Sequence, residues 1–498
     1  MKKFFSKFKV VFLLAFVVFG AIAFCGCGNK NEIESLSKNL NTYDISVDFD
    51  LETKTANVKT DVCFRNTTNC VLKSVKFHLY PQFFKEGATN KVVGMTNMNN
   101  AYPNGLDYAE FEVVRVVENG HDEAVCYEGE FNGILCVPLD ASLMPDDCAE
   151  ISIETTLTLP NCLHRFGFGE STINFANFYP VVCVFEDGEF STKPYNSNGD
   201  PFYSDIANYN VEILCDSSLK IAGTGEKKIL NASEGKTKTN FIAKAVRDFA
   251  FVMSEDYQII SKKCGDVDIE YYYFDDENKE KSLQAGVDAI NIFSKLFGQY
   301  IYGKFCIAQT NFVYGGMEYP MLIMVSDDVD NLDDYLNVIV HETAHQWWYS
   351  MVGNDEFTYP WLDEALTEYS TVLFYDYADG YNMTHKKMVD SYKENYSLFV
   401  SVYKDVLGSL DTSMRAVDEY DTEPEYTYCT YVKGVLMYDS LYQLVGKNNF
   451  IASLKHYFEQ NKFKNVVPEN LIDCFSSTCK TDLKDFFLSW QEGKVVIR

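Results

Sequence analysis

The hydrophobic pattern of this 498-residue chain changes its period near residue 258. Apolar residues stand at every second position from Tyr43 to Leu51, and similar short stretches recur as far as residue 258. Clusters of Asn, Asp, Gly and Ser separate these stretches. A period of two is typical of strands with one buried face. The sequence therefore predicts an all-β, sandwich-like domain over residues 43–258.

After residue 258 the apolar residues follow a helical period. Leu283, Val287 and Ile290 lie on one face of a helix. Further stretches also suit helices: 333–350, 363–380, 385–402, 431–445 and 468–490. We therefore predict a mainly helical domain over residues 259–498. The expected fold class is multidomain α+β, because a chain of this length exceeds one ordinary hydrophobic core.

The charge balance excludes several classes of partner. The chain has 43 Lys and Arg against 72 Asp and Glu, which gives a formal net charge of -29. A strongly acidic protein does not bind DNA, RNA or an anionic lipid surface through a basic patch. The 15 cysteines are spread widely, so a small disulfide-stapled scaffold is not expected.

The first 27 residues have the pattern of a bacterial export signal. An apolar run from Val10 to Phe24 follows a basic start, formed by Lys2, Lys3, Lys7 and Lys9. The run is too short for a full bilayer span, and Cys27 follows shortly after it, preceded by Gly26. We expect a lipid on Cys27, a polar tether over 28–42, and a protein anchored on the extracytoplasmic face of a bacterial membrane. Plain export with ordinary cleavage, or an uncleaved anchor, are the alternatives.

Two of the seven histidines lie in an H-E-x-x-H motif, at His341 and His345. On a helix, positions i and i+4 share one face, so both imidazoles can reach one metal ion. Glu342 stands beside the first histidine, where a carboxylate can take a proton from an activated water. The motif predicts a catalytic zinc site, although a bare H-E-x-x-H also arises by chance.

A third ligand is expected, since catalytic zinc usually has three protein ligands and one open position. Glu364 follows His345 after eighteen intervening residues, near the start of the next predicted helix. One turn later, Glu368 shares its face and could accept the second ring N–H of His341. The plain alternative for Glu364 is a solvated acid at a helix start.

This ligand spacing resembles that of the aminopeptidase N family of zinc metallopeptidases. Three more stretches of the second half look similar to the family's motifs: His345–Trp348 followed by Gly353–Asn354, Gly315–Pro320, and Tyr431–Gly434. In the β half, two stretches also look similar: Ala222–Glu226 and Arg247–Ala250. The resemblance covers most of residues 43–490.

The resemblance implies a β-domain resting on a thermolysin-like catalytic domain. It implies one zinc ion per chain, held by His341, His345 and Glu364, with Glu342 as general base. Tyr431 would donate to the oxyanion of the tetrahedral intermediate, and the Val-Lys-Gly that follows it distinguishes it from its neighbours Tyr426 and Tyr428. Because the chain stops soon after Trp490, the site should be more open than in longer members.

The stretch Gly315–Pro320 occupies the place of the family's substrate motif. Gly315, Gly316 and Met317 would let an extended peptide lie along an edge strand, and Glu318 would accept the free α-amine of the substrate. An aminopeptidase acting on peptides with a free N-terminus is thus the main expectation. Tyr319 departs from the family, which usually has Asn there, so a zinc endopeptidase remains an alternative. A surface binding protein with an inactive metallopeptidase fold is another.

The remaining histidines have no partner pattern in the sequence and are treated as packing or surface residues: His78, His121, His164, His385 and His456.

Overall fold

The computed structural model describes residues 32–88, 92–233, 235–408, 410–495 and 497. The predicted export segment and Cys27 lie outside these ranges. Among the described residues, none of the helices combines the length and the apolar character that crossing a bilayer requires.

The first half is built from strands. Two short helices lie in it, α1 over 32–36 and α2 over Met98–Ala101, with 3₁₀ turns at Ser37–Asn39, Tyr80–Phe84 and Glu130–Asn132. The strands are β1 Thr42–Asp50, β2 Thr55–Arg65, β3 Leu72–His78, β4 Glu110–Glu118, β5 His121–Glu123, β6 Cys126–Glu128, β7 Ile134–Leu143, β8 Cys148–Thr158, β9 Phe166–Phe168, β10 Ile173–Ala176, β11 Val181–Val182, β12 Phe185–Glu186, β13 Glu189–Phe190, β14 Ala207–Asp216, β15 Lys220–Gly223, β16 Glu226–Ser233, β17 Lys236–Val246 and β18 Ala250–Ser254.

These strands form one large sheet and several small ones. The large sheet has the order β16-β17-β14-β1-β2-β8-β4-β5, and two four-stranded sheets have the orders β15-β18-β10-β9 and β11-β3-β7-β6. In β1, Tyr43, Ile45, Val47 and Phe49 are buried while the residues after each are exposed. The period of two in the sequence therefore comes from a sheet with one face in the core, and the predicted β-rich first half is confirmed.

The second half begins with a sheet and continues with helices. Its strands are β19 Gln258–Cys264, β20 Val267–Tyr273, β21 Lys304–Thr310, β22 Gly316–Met317, β23 Leu322–Ser326, β24 Val352–Asn354 and β25 Lys464–Val466. Its helices are α3 Lys279–Leu296, α4 Leu332–Ala344, α5 Trp361–Phe374, α6 His385–Leu407, α7 Glu423–Thr427, α8 Lys433–Val445, α9 Lys447–Asn461, α10 Pro468–Cys479 and α11 Lys484–Gln491, with a 3₁₀ turn at Val417–Glu419 and a π-helix at Tyr428–Val432.

The five-stranded sheet places the substrate motif beside the metal motif. Its order is β19-β20-β21-β23-β22, so β22 is an edge strand. Helix α4 packs against both β23 and β22. A residue on β22 therefore faces the H-E-x-x-H helix across a short distance, and β22 keeps a free edge for another extended chain.

The helical prediction for the second half is confirmed in outline and differs in detail. The stretch 468–490 contains two helices, because Thr481–Asp482 interrupts the pattern between α10 and α11. Helix α9 and the five-stranded sheet have no counterpart in the predicted elements. Within the predicted tether 28–42, residues 32–39 are helical, and Glu34 pairs with Lys244 at 2.8 Å.

Candidate metal centre and active site

The H-E-x-x-H motif lies at the end of α4. Asn331 caps the start of this helix, because its side chain accepts a hydrogen bond of 3.1 Å from the backbone N–H of Asp334. His341 occupies the last turn, and His345 follows as the capping residue of the C-terminus. The helical spacing puts both rings on one side, with their Nε2 atoms 3.2 Å apart.

Glu364 completes a set of three ligands from the first turn of α5. Its Oε2 lies 3.4 Å from Nε2 of His341 and 3.2 Å from Nε2 of His345. Three atoms bound to one zinc ion at tetrahedral angles lie about 3.3 Å apart. Glu364 Oε2 is also buried, with no hydrogen-bond partner among the described residues. Two imidazoles, one carboxylate and these spacings fit zinc.

Each histidine is oriented through its other ring nitrogen. Nδ1 of His345 lies 2.8 Å from the carbonyl oxygen of Trp348, which can only accept, so Nδ1 carries the proton and Nε2 is free to bind metal. Thr367 Oγ1 lies 3.1 Å from the same nitrogen. Nδ1 of His341 lies 2.5 Å from Oε2 of Glu368, which is the supporting place predicted for that carboxylate.

Glu342 is buried beside the ligands. Its carboxylate, that of Glu318 and a ring nitrogen of His345 lie within 4.8 Å of one another. Burial is the main cause that raises the pKa of Glu342 to about 7, which suits a group that accepts a proton near neutral pH. A Cβ on Gly316 would lie 2.4 Å from Glu342 Oε1, so this close approach of β22 to α4 requires glycine.

Tyr431 reaches the site from a π-helix. Its hydroxyl donates a 2.6 Å hydrogen bond to Oε1 of Glu364, and its ring lies 6.3 Å from that of His341. Tyr428 instead stacks on Phe399, with ring centroids 4.3 Å apart. The structure thus brings Tyr431 to the ligands. A π-helical turn is a common local feature of functional sites.

The substrate motif places Glu318 next to the metal ligands. Its side chain is 3% exposed, and its Oε1 has no hydrogen-bond partner in the described ranges. Burial raises the pKa of Glu318 well above its ordinary value. Tyr319, the departure from the family's motif, is buried and donates a 3.0 Å hydrogen bond to Asn177 of the β half. Its side chain therefore joins the two halves.

The β half contributes Asp200, which the sequence did not indicate. Carboxylate oxygens of Asp200, Glu318 and Glu364 lie within 4.8 Å of one another. Asp200 is ion-paired with the buried Arg165. The loop that carries it reaches across to the second half, because Asn198 donates a 3.2 Å hydrogen bond to a backbone carbonyl at Val417.

A further acidic pair lies behind Glu318. Carboxylate oxygens of Glu318, Glu356 and Asp363 lie within 4.8 Å of one another, and both oxygens of Glu356 are buried with no hydrogen-bond partner among the described residues. Asp363 accepts a 3.1 Å hydrogen bond from Asn354 Nδ2. Several buried carboxylates therefore surround the candidate metal centre.

Parts of this chain are similar to known protein sequences, and its fold is similar to solved structures. Residues 282–490 match the model of the Peptidase family M1 domain. The region that matches, residues 282–490, is called the M1 domain below.

Two named relatives are similar in sequence to part of this chain. Mouse aminopeptidase B is 29% identical over 198 residues, which cover 36% of this chain and 28% of the relative. Leucine aminopeptidase 2 of Neosartorya fischeri is 27% identical over 214 residues, or 42% of this chain and 33% of the relative. The match thus spans a third or less of each relative's length.

Solved structures extend the likeness to both halves of the fold. The M1 zinc metallopeptidase of Deinococcus radiodurans has a TM-score of 0.64 at 15% identity, covering 92% of this chain and 95% of that one. A mutant of that protein bound to a Tyr-Ser-Ala substrate also has a TM-score of 0.64. The two-domain architecture expected from the sequence is confirmed.

Arg247, from the β half, holds the M1 domain just beyond the metal helix. Its Nε donates a 2.6 Å hydrogen bond to the backbone carbonyl of Tyr349, and Nη2 donates one of 2.7 Å to that of Lys464. Tyr349 has φ of 134°, which is strained for a bulky residue. Its hydroxyl donates to Asp248. Gly353 allows this clamp, because a Cβ there would lie 1.9 Å from the guanidinium carbon.

The residues of the family-like motifs in the second half therefore lie close together in the folded chain. Gly353 and Asn354 lie in strand β24, which pairs with β25 in parallel. Of the substrate motif, Met317 is buried and Gly315 accepts a 2.9 Å backbone hydrogen bond from Ser326.

Proposed function

We propose that this chain is a zinc-dependent aminopeptidase that removes N-terminal residues from peptides and uses one zinc ion. The observation that carries the proposal is a cradle of two carboxylates, from Asp200 and Glu318, which lie beside Glu364 of the zinc-fitting ligand set. When bound, zinc would polarise the scissile carbonyl. It would also lower the pKa of a water molecule, so that this water can lose a proton and attack the carbonyl.

The acidic cradle supports recognition of a free α-amine. An ammonium group has three N–H donors and one positive charge, and the carboxylates of Asp200 and Glu318 offer it acceptors and negative charge. A buried carboxylate that faces the uncharged amide of a longer chain would lack that compensation. This asymmetry favours an exopeptidase over the endopeptidase alternative.

The residues around the cradle have distinct roles in hydrolysis. Glu342 accepts a proton from the attacking water and passes it to the leaving amine. Tyr431 donates its hydroxyl hydrogen to the oxyanion as the carbonyl becomes tetrahedral, after leaving its contact with Glu364. The free edge of β22, at Gly316 and Met317, pairs with the backbone of the extended substrate.

Paired substrates test the proposal. The zinc-loaded full chain is assayed on aminoacyl-arylamides and on the same compounds with acetylated N-termini. We expect cleavage of the free-amine forms only. Equal cleavage of both forms would reject the exopeptidase proposal, and stoichiometric zinc without any cleavage would support the inactive binding protein. Glu342→Gln should keep zinc and lose activity by about 10²–10⁴-fold.

The location is a separate proposal. We propose that the chain is exported and anchored in a bacterial membrane by a lipid on Cys27, which rests on the basic start, the apolar run and Gly26 before the cysteine. Mass spectrometry of the N-terminal peptide from membranes tests it. A lipid mass on Cys27 is expected, and a chain that keeps residues 1–26 would contradict it.

A further inference from the structure

The two histidine ligands are held in different ways. His345 has a side-chain exposure of 1% and its Nδ1 is fixed by the carbonyl of Trp348. His341 has a side-chain exposure of 13% and depends on one side chain, Glu368. A backbone carbonyl cannot move independently of the fold, whereas a glutamate can adopt other rotamers. The orientation of His341 therefore depends on what holds Glu368.

The two carboxylate oxygens of Glu368 have separate partners. Oε2 lies 2.5 Å from Nδ1 of His341. Oε1 accepts a hydrogen bond from the hydroxyl of Tyr392, on α6. Glu368 itself stands on α5, so the chain of contacts Tyr392–Glu368–His341 joins three helices.

Helix α6 is held on both sides of Tyr392. At its first residue, Nε2 of His385 lies 3.1 Å from Oδ1 of Asp439. Farther along, Phe399 stacks on Tyr428 with ring planes 1° apart. The hydroxyl of Tyr392 is thus presented from an anchored helix, which lets it fix the carboxylate it contacts.

We propose that Tyr392 is a positioning residue of the metal centre, which fixes His341 for metal binding through Glu368. The inference rests on the zinc site of the proposed function. Removing the Tyr392 hydroxyl leaves Glu368 Oε1 without its donor, so the side chain of Glu368 can adopt other rotamers. His341 loses its fixed orientation, so zinc binds less tightly.

Zinc affinity, measured by competition with a chelator, tests this role without an activity assay. Tyr392→Phe keeps the ring and should raise the zinc dissociation constant by roughly threefold to tenfold, and Glu368→Gln by about 10–100-fold. The matched control is Tyr403→Phe on the same helix, because its hydroxyl lies 3.1 Å from Thr422 Oγ1, away from the ligands. The control should bind zinc as the unchanged chain does.

A double variant shows whether Tyr392 acts through Glu368. If it does, Tyr392→Phe adds no further weakening to that of Glu368→Ala alone, because alanine has no oxygen to accept from the Tyr392 hydroxyl. Unchanged zinc binding in Tyr392→Phe, or effects that multiply in the double variant, would overturn the inference and leave the proposed function intact. An unchanged chain that binds no zinc would overturn both.

Discussion

The M1 domain and the β half contribute to the site in opposite ways. The M1 domain provides the proposed zinc ligands from two neighbouring helices, with His341 and His345 at the end of α4 and Glu364 at the start of α5. The β half provides no ligand of this set. It provides Asp200 beside the ligands and Arg247 behind them, from a loop and from the end of a strand. The proposed zinc ligands are thus close together in the chain, whereas Asp200 and Arg247 come from the other half of the molecule.

The first prediction tests the chemical side of this comparison and has the largest effect. Glu364→Ala removes one of three ligands, so zinc content should fall to near zero and activity by at least about a thousandfold. Asp200→Ala, in the β half, should keep its zinc. Metal analysis of the two purified variants checks this. Full zinc in Glu364→Ala would mean that the ligands are not those proposed.

The second prediction tests the support from the β half. Arg247→Met removes the buried donors to the backbone carbonyls of Tyr349 and Lys464, so the free energy of unfolding should fall by about 3–5 kcal/mol. The control, Arg115→Met, removes an exposed arginine paired with Asp122 and should change it by less than about 1 kcal/mol. Urea unfolding measures both. Equal losses would show that the clamp has no special role.

The third prediction concerns recognition of the substrate amine. Asp200→Asn keeps the shape and an oxygen that accepts from Arg165, and it removes one negative charge from the cradle. The KM for free-amine arylamides should rise about tenfold, equivalent to about 1.4 kcal/mol, with kcat little changed. Asp122→Asn, on an exposed strand, is the control. A fall in kcat at constant KM would place Asp200 in the chemical step instead.

The same comparison explains how far the sequence could predict the site. His341, His345 and Glu364 stand in a short stretch whose spacing reflects helix geometry. Glu318 lies before this stretch and Tyr431 lies well after it, and only their resemblance to family motifs singled them out. Alternation in β1 predicted the β half, because one buried face leaves a clear period of two.

Asp200 and Tyr392 could not be found in this way. Asp200 stands in a loop rich in Asn, Ser and Gly that looks like any other loop, and its place at the cradle depends on how the two halves pack. Tyr392 is one of 34 tyrosines, and nothing local marks its contact with Glu368. The five-stranded sheet was missed since its buried strands, such as β21, have no alternation.

The last prediction concerns a charged contact that belongs to the M1 domain alone. His385 stands between Asp376, 3.3 Å from its Nδ1, and Asp439, 3.1 Å from its Nε2. Lys447 also faces Asp376, and the rings of Tyr369 and Tyr442 lie against the imidazole. Burial alone would lower the pKa of His385, but the two carboxylates outweigh it and raise the pKa to about 9. The sequence had offered no partner for this residue.

Because the folded chain binds this proton more tightly than an unfolded one, with a pKa of about 6.5, the contact stabilises the fold fully below about pH 6.5. That stability is lost as the pH rises through about 9. His385→Asn should therefore cost on the order of 2 kcal/mol at pH 6 and much less at pH 10, measured by urea unfolding. If the cost of His385→Asn does not shrink at pH 10, the histidine stabilises α6 by packing rather than by charge.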